Sequence, residues 1–148
     1  MIPDAVLLKP GKLSADEFEV MKSHTLRGRT LVDALIDNHA LEHMNHIEVL
    51  RNIVELHHEN WDGSGYPHGL KGEAIPIEAR IVAVGDVFDA LTSQRIYKKA
   101  MTNEQAFELL SEMAGKKIDP QCLAPFIQQS DKIAAIRATY VEKGPPQR

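Results

Sequence analysis

Apolar residues recur along this chain at spacings of three and four, with polar residues between them, which is the signature of amphipathic helices. Lys9-Pro10-Gly11 is a turn signal, and Ser14 and Glu17 just after it have capping-box spacing, so a helix is predicted to start near Ala15. Along it Met21, His24, Gly28, Leu31 and Leu35 form one stripe that carries His24 inward. A second helix is predicted over residues 40–59, with Ile47, Leu50, Val54 and His57 on one face. His58 then lies about 100° further round. Residues 62–72 (DGSGYPHGLKG) hold four glycines and a proline and must form a loop. Helix is expected again over 76–93, with Ile81, Val84, Phe88 and Leu91 inward and Asp86 and Asp89 sharing another face. Thr102 and Gln105 make a second capping box ahead of Phe107, Leu110 and Met113. Asp119-Pro120 suits the cap and first turn of a last helix carrying Leu123, Phe126, Ile133 and Ile136. No alternating pattern of useful length occurs. The chain is expected to be all-α, with roughly five to six helices and one Gly-rich loop.

A length of 148 residues suits one domain, taken as residues 1–142, with 143–148 (KGPPQR) as a flexible tail. The formal charge of −4 offers no basic face for duplex nucleic acid, so a phosphate-bearing ligand has to be met by a few local cations or by metal. The single cysteine, Cys122, excludes an internal disulfide and fits a reducing compartment, hence a cytoplasmic location. It lies in a helical apolar pattern and reads as core rather than nucleophile. No apolar run approaches a membrane span, and the N-terminus has no secretory-signal pattern. Ile2, Val6, Leu7 and Leu8 make an abrupt apolar start, as if the chain were entered in mid-domain. Such a patch, left exposed, promotes association, so a homo-oligomer is expected.

Chemistry concentrates in residues 57–67, HHENWDGSGYP. With His24 and Asp86, the adjacent His57 and His58 supply the imidazole and carboxylate donors that borderline first-row metals take. Spacing alone leaves two readings open: metal ligands converging from separate helices, or satisfied core histidines with an ion-paired aspartate. His39, His43 and His46 are spaced to share a helix face, which reads as a solvated surface rather than a metal site. His68 sits in the glycine loop within range of the site. Trp61 and Tyr66 flank the loop glycines and suit either base stacking or ordinary loop packing. Arg95, Lys98 and Lys99 suit either phosphate contacts or a solvated helix end.

Taken together, HHENWDGSGYP, the KPGKL turn at 9–13, GDVFDAL at 85–91 and SQRIYKK at 93–99 resemble the HD-GYP family of bacterial metal-dependent phosphodiesterases. The resemblance spans residues 2–127 and implies a helical HD-superfamily domain. It implies His24, His57, His58 and Asp86 as ligands of a divalent transition metal, with iron or manganese ahead of zinc or nickel. It also implies Asp86 and Lys98 in catalysis, and Arg95 and Lys98 on the nucleotide phosphates. Gly65-Tyr66-Pro67 would border the substrate and contact partner GGDEF or receiver domains. The implied reaction is metal-assisted hydrolysis of cyclic di-GMP to pGpG and on to GMP.

The chain departs from the family pattern at its start. It opens on the Ile2-Pro3-Asp4 segment that should follow the His-Asp dyad, so an N-terminally truncated domain with impaired turnover is expected. The alternative is a catalytically inactive module that binds metal or cyclic di-GMP and signals through the Gly-Tyr-Pro loop. Thr25 stands where the family usually carries proline, a change expected to be tolerated.

Overall fold

The computed structural model of the protein describes residues 2–39, 41, 43, 45–94 and 99–141. Those residues form α1 (Asp4–Leu7), α2 (Ala15–Lys22), α3 (His24–Asn38), α4 (Ile47–Leu56), α5 (Ile77–Thr92), α6 (Asn103–Met113), α7 (Pro120–Gln128) and α8 (Ser130–Val141). A 3-10 turn at Gly72–Ala74 closes the glycine loop, and no strand occurs among the described residues. The all-α expectation therefore holds.

Local signals place several boundaries as expected. The Ser14 hydroxyl accepts the Glu17 N–H while the Glu17 carboxylate accepts the Ser14 N–H, a complete capping box. Thr102 and Gln105 repeat it at α6. Asp119 caps α7 by accepting the Gln121 N–H, with Pro120 in the first turn.

More helices form than the five to six expected, because two long expected helices are each broken and α1 adds a turn. The first divides at Ser23, whose hydroxyl donates to the Val20 carbonyl at 2.6 Å and interrupts regular pairing. The last divides at Gln129, between α7 and α8. The helix expected over 40–59 is shorter at both ends. His46 precedes it in a left-handed conformation (φ 71°), and His57 ends it. His39 is the C-cap of α3, so His39 and His46 do not share the helix face expected of them.

The main core lies between α5, α6 and α7, where Val84, Phe88, Leu91, Ala106, Leu110, Ile118 and Leu123 are buried. Phe88 stacks on Phe107 at 5.1 Å and meets Phe126 edge-on at 5.3 Å. A smaller core of Leu56, Ile75 and Ala79 joins the end of α4 to the start of α5. Helices α3 and α4 pack so closely that a Cβ on Gly28 would sit 2.7 Å from the Val54 Cγ1. Arg29 and Arg51 tie the same pair together through Asp33 and Glu55.

Several stripes turn out only half inward. Leu31, Leu35, Leu50 and Ile81 are 62%, 49%, 47% and 57% exposed, and Leu7 and Leu8 at α1 are exposed too. Among the described residues no element packs over them. Ile136 on α8 is exposed for the same reason.

Candidate metal centre

Three side chains converge on one point. In the last turn of α2 the Met21 carbonyl accepts a backbone N–H at the cap and also the His24 ring Nδ1 at 2.7 Å. At the end of α4 the Ile53 carbonyl accepts both the His57 backbone N–H at 3.2 Å and the His57 ring Nδ1 at 2.8 Å. A carbonyl can only accept, so both Nδ1 atoms carry a proton, which leaves Nε2 as the ring nitrogen that can offer a lone pair to an ion. Ligating histidines are commonly oriented this way, by a backbone carbonyl on the far nitrogen.

His58 completes the group. Its ring centroid lies 4.1 Å from that of His57 and 4.9 Å from that of His24. One donor nitrogen from each of the three histidines lies within 4.8 Å of the others. Burial pushes the His58 imidazole down to about 4, and the neighbouring His57 and His24 push in the same direction. The ring is therefore neutral near pH 7, with a lone pair free for an ion. The donor set fits a borderline divalent metal.

Asp86, exposed on α5, is outside that close trio. It lines a cleft of about 330 Å³ with His57, His58, Asn60 and Lys117, and its charge acts on both His58 and Tyr66.

The glycine loop packs against His58. The Tyr66 ring sits 4.8 Å from that of His58 and meets Phe18 edge-on at 6.2 Å. Gly65 allows this approach: a Cβ there would fall 2.2 Å from the Asn60 nitrogen and 2.5 Å from the His58 carbonyl oxygen. The Tyr66 N–H donates to that same His58 carbonyl at 3.1 Å. Burial and the Asp86 charge push the Tyr66 hydroxyl up to about 12, so it stays protonated. A second cleft of about 350 Å³ opens here, lined by Phe18, Lys22, His58, Asn60, Tyr66 and Lys117. The Tyr66–Pro67 peptide bond is cis.

Glu59 has a role the sequence did not reveal. It is 3% exposed, and its carboxylate accepts the His68 and Gly69 N–H groups on Oε1 and the Leu70 N–H on Oε2. It anchors the loop that carries Tyr66. An acid at the junction of a helix end and a glycine-rich loop was the available signal.

His68 is drawn away from the three histidines, its Nε2 lying 2.8 Å from the Glu55 carboxylate. Trp61 lies under the Arg80 guanidinium at 5.7 Å, which is loop packing. Cys122 is half-buried, and burial with the nearby Asp119 pushes its thiol up to about 11, consistent with an inert residue. Thr25 is fully buried in the first turn of α3, where proline is also accommodated, and its hydroxyl donates to the Lys22 carbonyl. Arg95 and Lys98 lie outside the described residues.

Residues 1–122 match the HD domain family. The chain belongs to that family. Its Gly65-Tyr66-Pro67 signature puts it with the HD-GYP type, and HD-domain phosphohydrolases are metal-dependent. It is 42% identical over 139 residues to a cyclic di-GMP phosphodiesterase of Vibrio cholerae, covering 94% of this chain and 28% of that protein. It is 52% identical over 122 residues to the cyclic di-GMP phosphodiesterase response regulator RpfG of Xanthomonas campestris, covering 82% of this chain and 30% of that protein. The chain thus spans under a third of the length of either relative. Its fold is similar to the crystal structure of a cyclic GMP-AMP specific phosphodiesterase from V. cholerae, with a TM-score of 0.58 and 23% identity over 87% of this chain and 26% of that one. Among the described residues no helix is long and apolar enough to cross a membrane.

Proposed function

We propose that this chain is the metal-binding and nucleotide-binding portion of a phosphodiesterase that hydrolyses cyclic di-GMP to pGpG and GMP. The observation that carries the reading is the histidine trio, with two rings fixed through Nδ1, set against the tyrosine of the Gly-Tyr-Pro loop. His24, His57 and His58 hold the ion, and Asp86 joins them from the cleft wall. Iron or manganese suits this mixed nitrogen and oxygen set, with zinc or nickel as the other candidates. When bound, the metal activates water and offsets charge on the phosphoryl oxygens.

The remaining work falls to side chains. Arg95 and Lys98 hold the phosphates, and Lys98 balances charge as the phosphodiester is cut. Gly65 and Pro67 fix the loop, while Tyr66 presents a protonated hydroxyl as a hydrogen-bond donor and a ring face to the substrate. Residues 1–142 form the working domain, and 143–148 lie outside the described residues. Partner GGDEF or receiver domains dock through the Gly-Tyr-Pro loop. The exposed Leu7, Leu8, Leu31 and Leu35 favour a homo-oligomer, and the lone cysteine a cytoplasmic location.

The test is calorimetric titration of metal-loaded protein with cyclic di-GMP, beside cyclic GMP-AMP, and chromatography of the mixture for pGpG. Metal-dependent binding with product formation supports the phosphodiesterase. Binding without product supports the alternative, a ligand-binding module acting through its loop. No binding of either dinucleotide overturns both.

A further inference from the structure

Two clefts meet at the histidine trio, one on the Asp86 side and one on the Tyr66 side, and both are lined by His58, Asn60 and Lys117. Among the described residues Lys117 is the one cation common to the two. Its backbone is fixed there by a web of hydrogen bonds. The Lys117 carbonyl accepts the Trp61 N–H at 3.2 Å, and the Lys116 carbonyl accepts the Asp62 N–H at 2.8 Å. The Lys117 N–H donates to the Met113 carbonyl at 3.0 Å, and the next residue, Ile118, is buried in the main core. Gly115, at φ 78°, lets the chain make this turn. The turn is thereby fastened to the residues that follow His57-His58-Glu59, and its position relative to His58 does not depend on an exposed helix end.

Lys22, the other cation that lines these clefts among the described residues, is already engaged. Lys22 pairs with Glu19 at 2.6 Å and lies over the Phe18 ring at 5.5 Å. Lys117 has no ion pair among the described residues and is exposed, so its ammonium is available to an incoming anion. A lysine is a compact point charge with three donors, able to follow a phosphate oxygen without the fixed fork that arginine imposes. Asp86 brings negative charge to the same cleft, so an anionic ligand entering beside it needs a balancing cation.

We propose that Lys117 is a substrate-positioning cation that contacts a phosphate of the ligand at the seam of the two clefts. The assignment rests on the phosphodiesterase reading for the identity of the ligand but not for its anionic chemistry. Metal-loaded full chain is titrated with cyclic di-GMP and, separately, with inorganic phosphate, at low and at high salt. Four proteins are compared: wild type, Lys117→Gln, Lys117→Arg and Lys116→Gln. Lys117→Gln is expected to weaken both ligands about tenfold and to flatten the salt dependence. Lys117→Arg should recover most of that loss. Lys116→Gln, whose side chain lines neither cleft, should stay within about twofold of wild type. Wild-type affinity and salt dependence in Lys117→Gln overturn the assignment. Binding of phosphate but not cyclic di-GMP by wild type, lost in Lys117→Gln, supports it while removing the nucleotide reading. Failure of wild type to bind either probe removes both.

Discussion

The rings of Tyr66 and His58 lie 4.8 Å apart and 31° from parallel, and the Tyr66 N–H donates to the His58 carbonyl. The residue at the heart of the Gly-Tyr-Pro signature is therefore a direct neighbour of a candidate metal ligand. Whatever moves the glycine loop moves the wall of the site.

Gly65→Ala tests how tight that relationship is. The added methyl meets main-chain atoms of residues 58–60 at 2.2–2.6 Å, and backbone cannot swing aside as a flexible side chain would. A stability loss of about 1–3 kcal/mol is expected in urea unfolding, the range for overpacking a tight contact. An unchanged midpoint would mean the loop is not seated against His58 as described.

Glu59→Gln tests the anchor beneath the loop. The substitution keeps the shape, but its amide nitrogen faces at least one of the three N–H donors that the carboxylate satisfies. Leaving a buried donor unmet costs about 1–3 kcal/mol. Hydrogen exchange at the amides of His68, Gly69 and Leu70 should accelerate more than exchange in α5 and α6. Uniform exchange rates would argue against a local anchor.

A pH dependence follows from His58. Its ordinary value of 6.5 falls to about 4 in the folded chain. Between those values the unfolded chain binds more protons than the folded one, so stability rises with pH across that window. The metal-free protein should lose stability as pH drops from about 6.5 toward 4, and His58→Asn should flatten that slope. Urea midpoints measured across the window check this, and a wild-type midpoint independent of pH would contradict it.

Much of the fold was legible where a signal is local. The capping pairs Ser14 with Glu17 and Thr102 with Gln105 are complete within four residues, so sequence alone identifies them. The meeting of His24, His57 and His58 was legible through helical phase together with a specific motif. The break at Ser23 was not, because a hydroxyl taking the Val20 carbonyl leaves no mark in an apolar pattern. Nor was the exposure of Leu31, Leu50 and Ile81, since periodicity identifies an apolar face but not whether anything covers it. Glu59 escaped for a third reason. Its partners are backbone groups nine to eleven residues away, and main-chain donors carry no residue code.

The most direct measurement is metal content. Purified protein is reconstituted with iron or manganese, freed of excess ion and analysed by elemental mass spectrometry, alongside His57→Ala. About one equivalent of metal in wild type, lost in a His57→Ala protein whose helical circular dichroism is unchanged, is the expected result. A folded wild type that retains no stoichiometric metal would contradict the shared site of His24, His57 and His58.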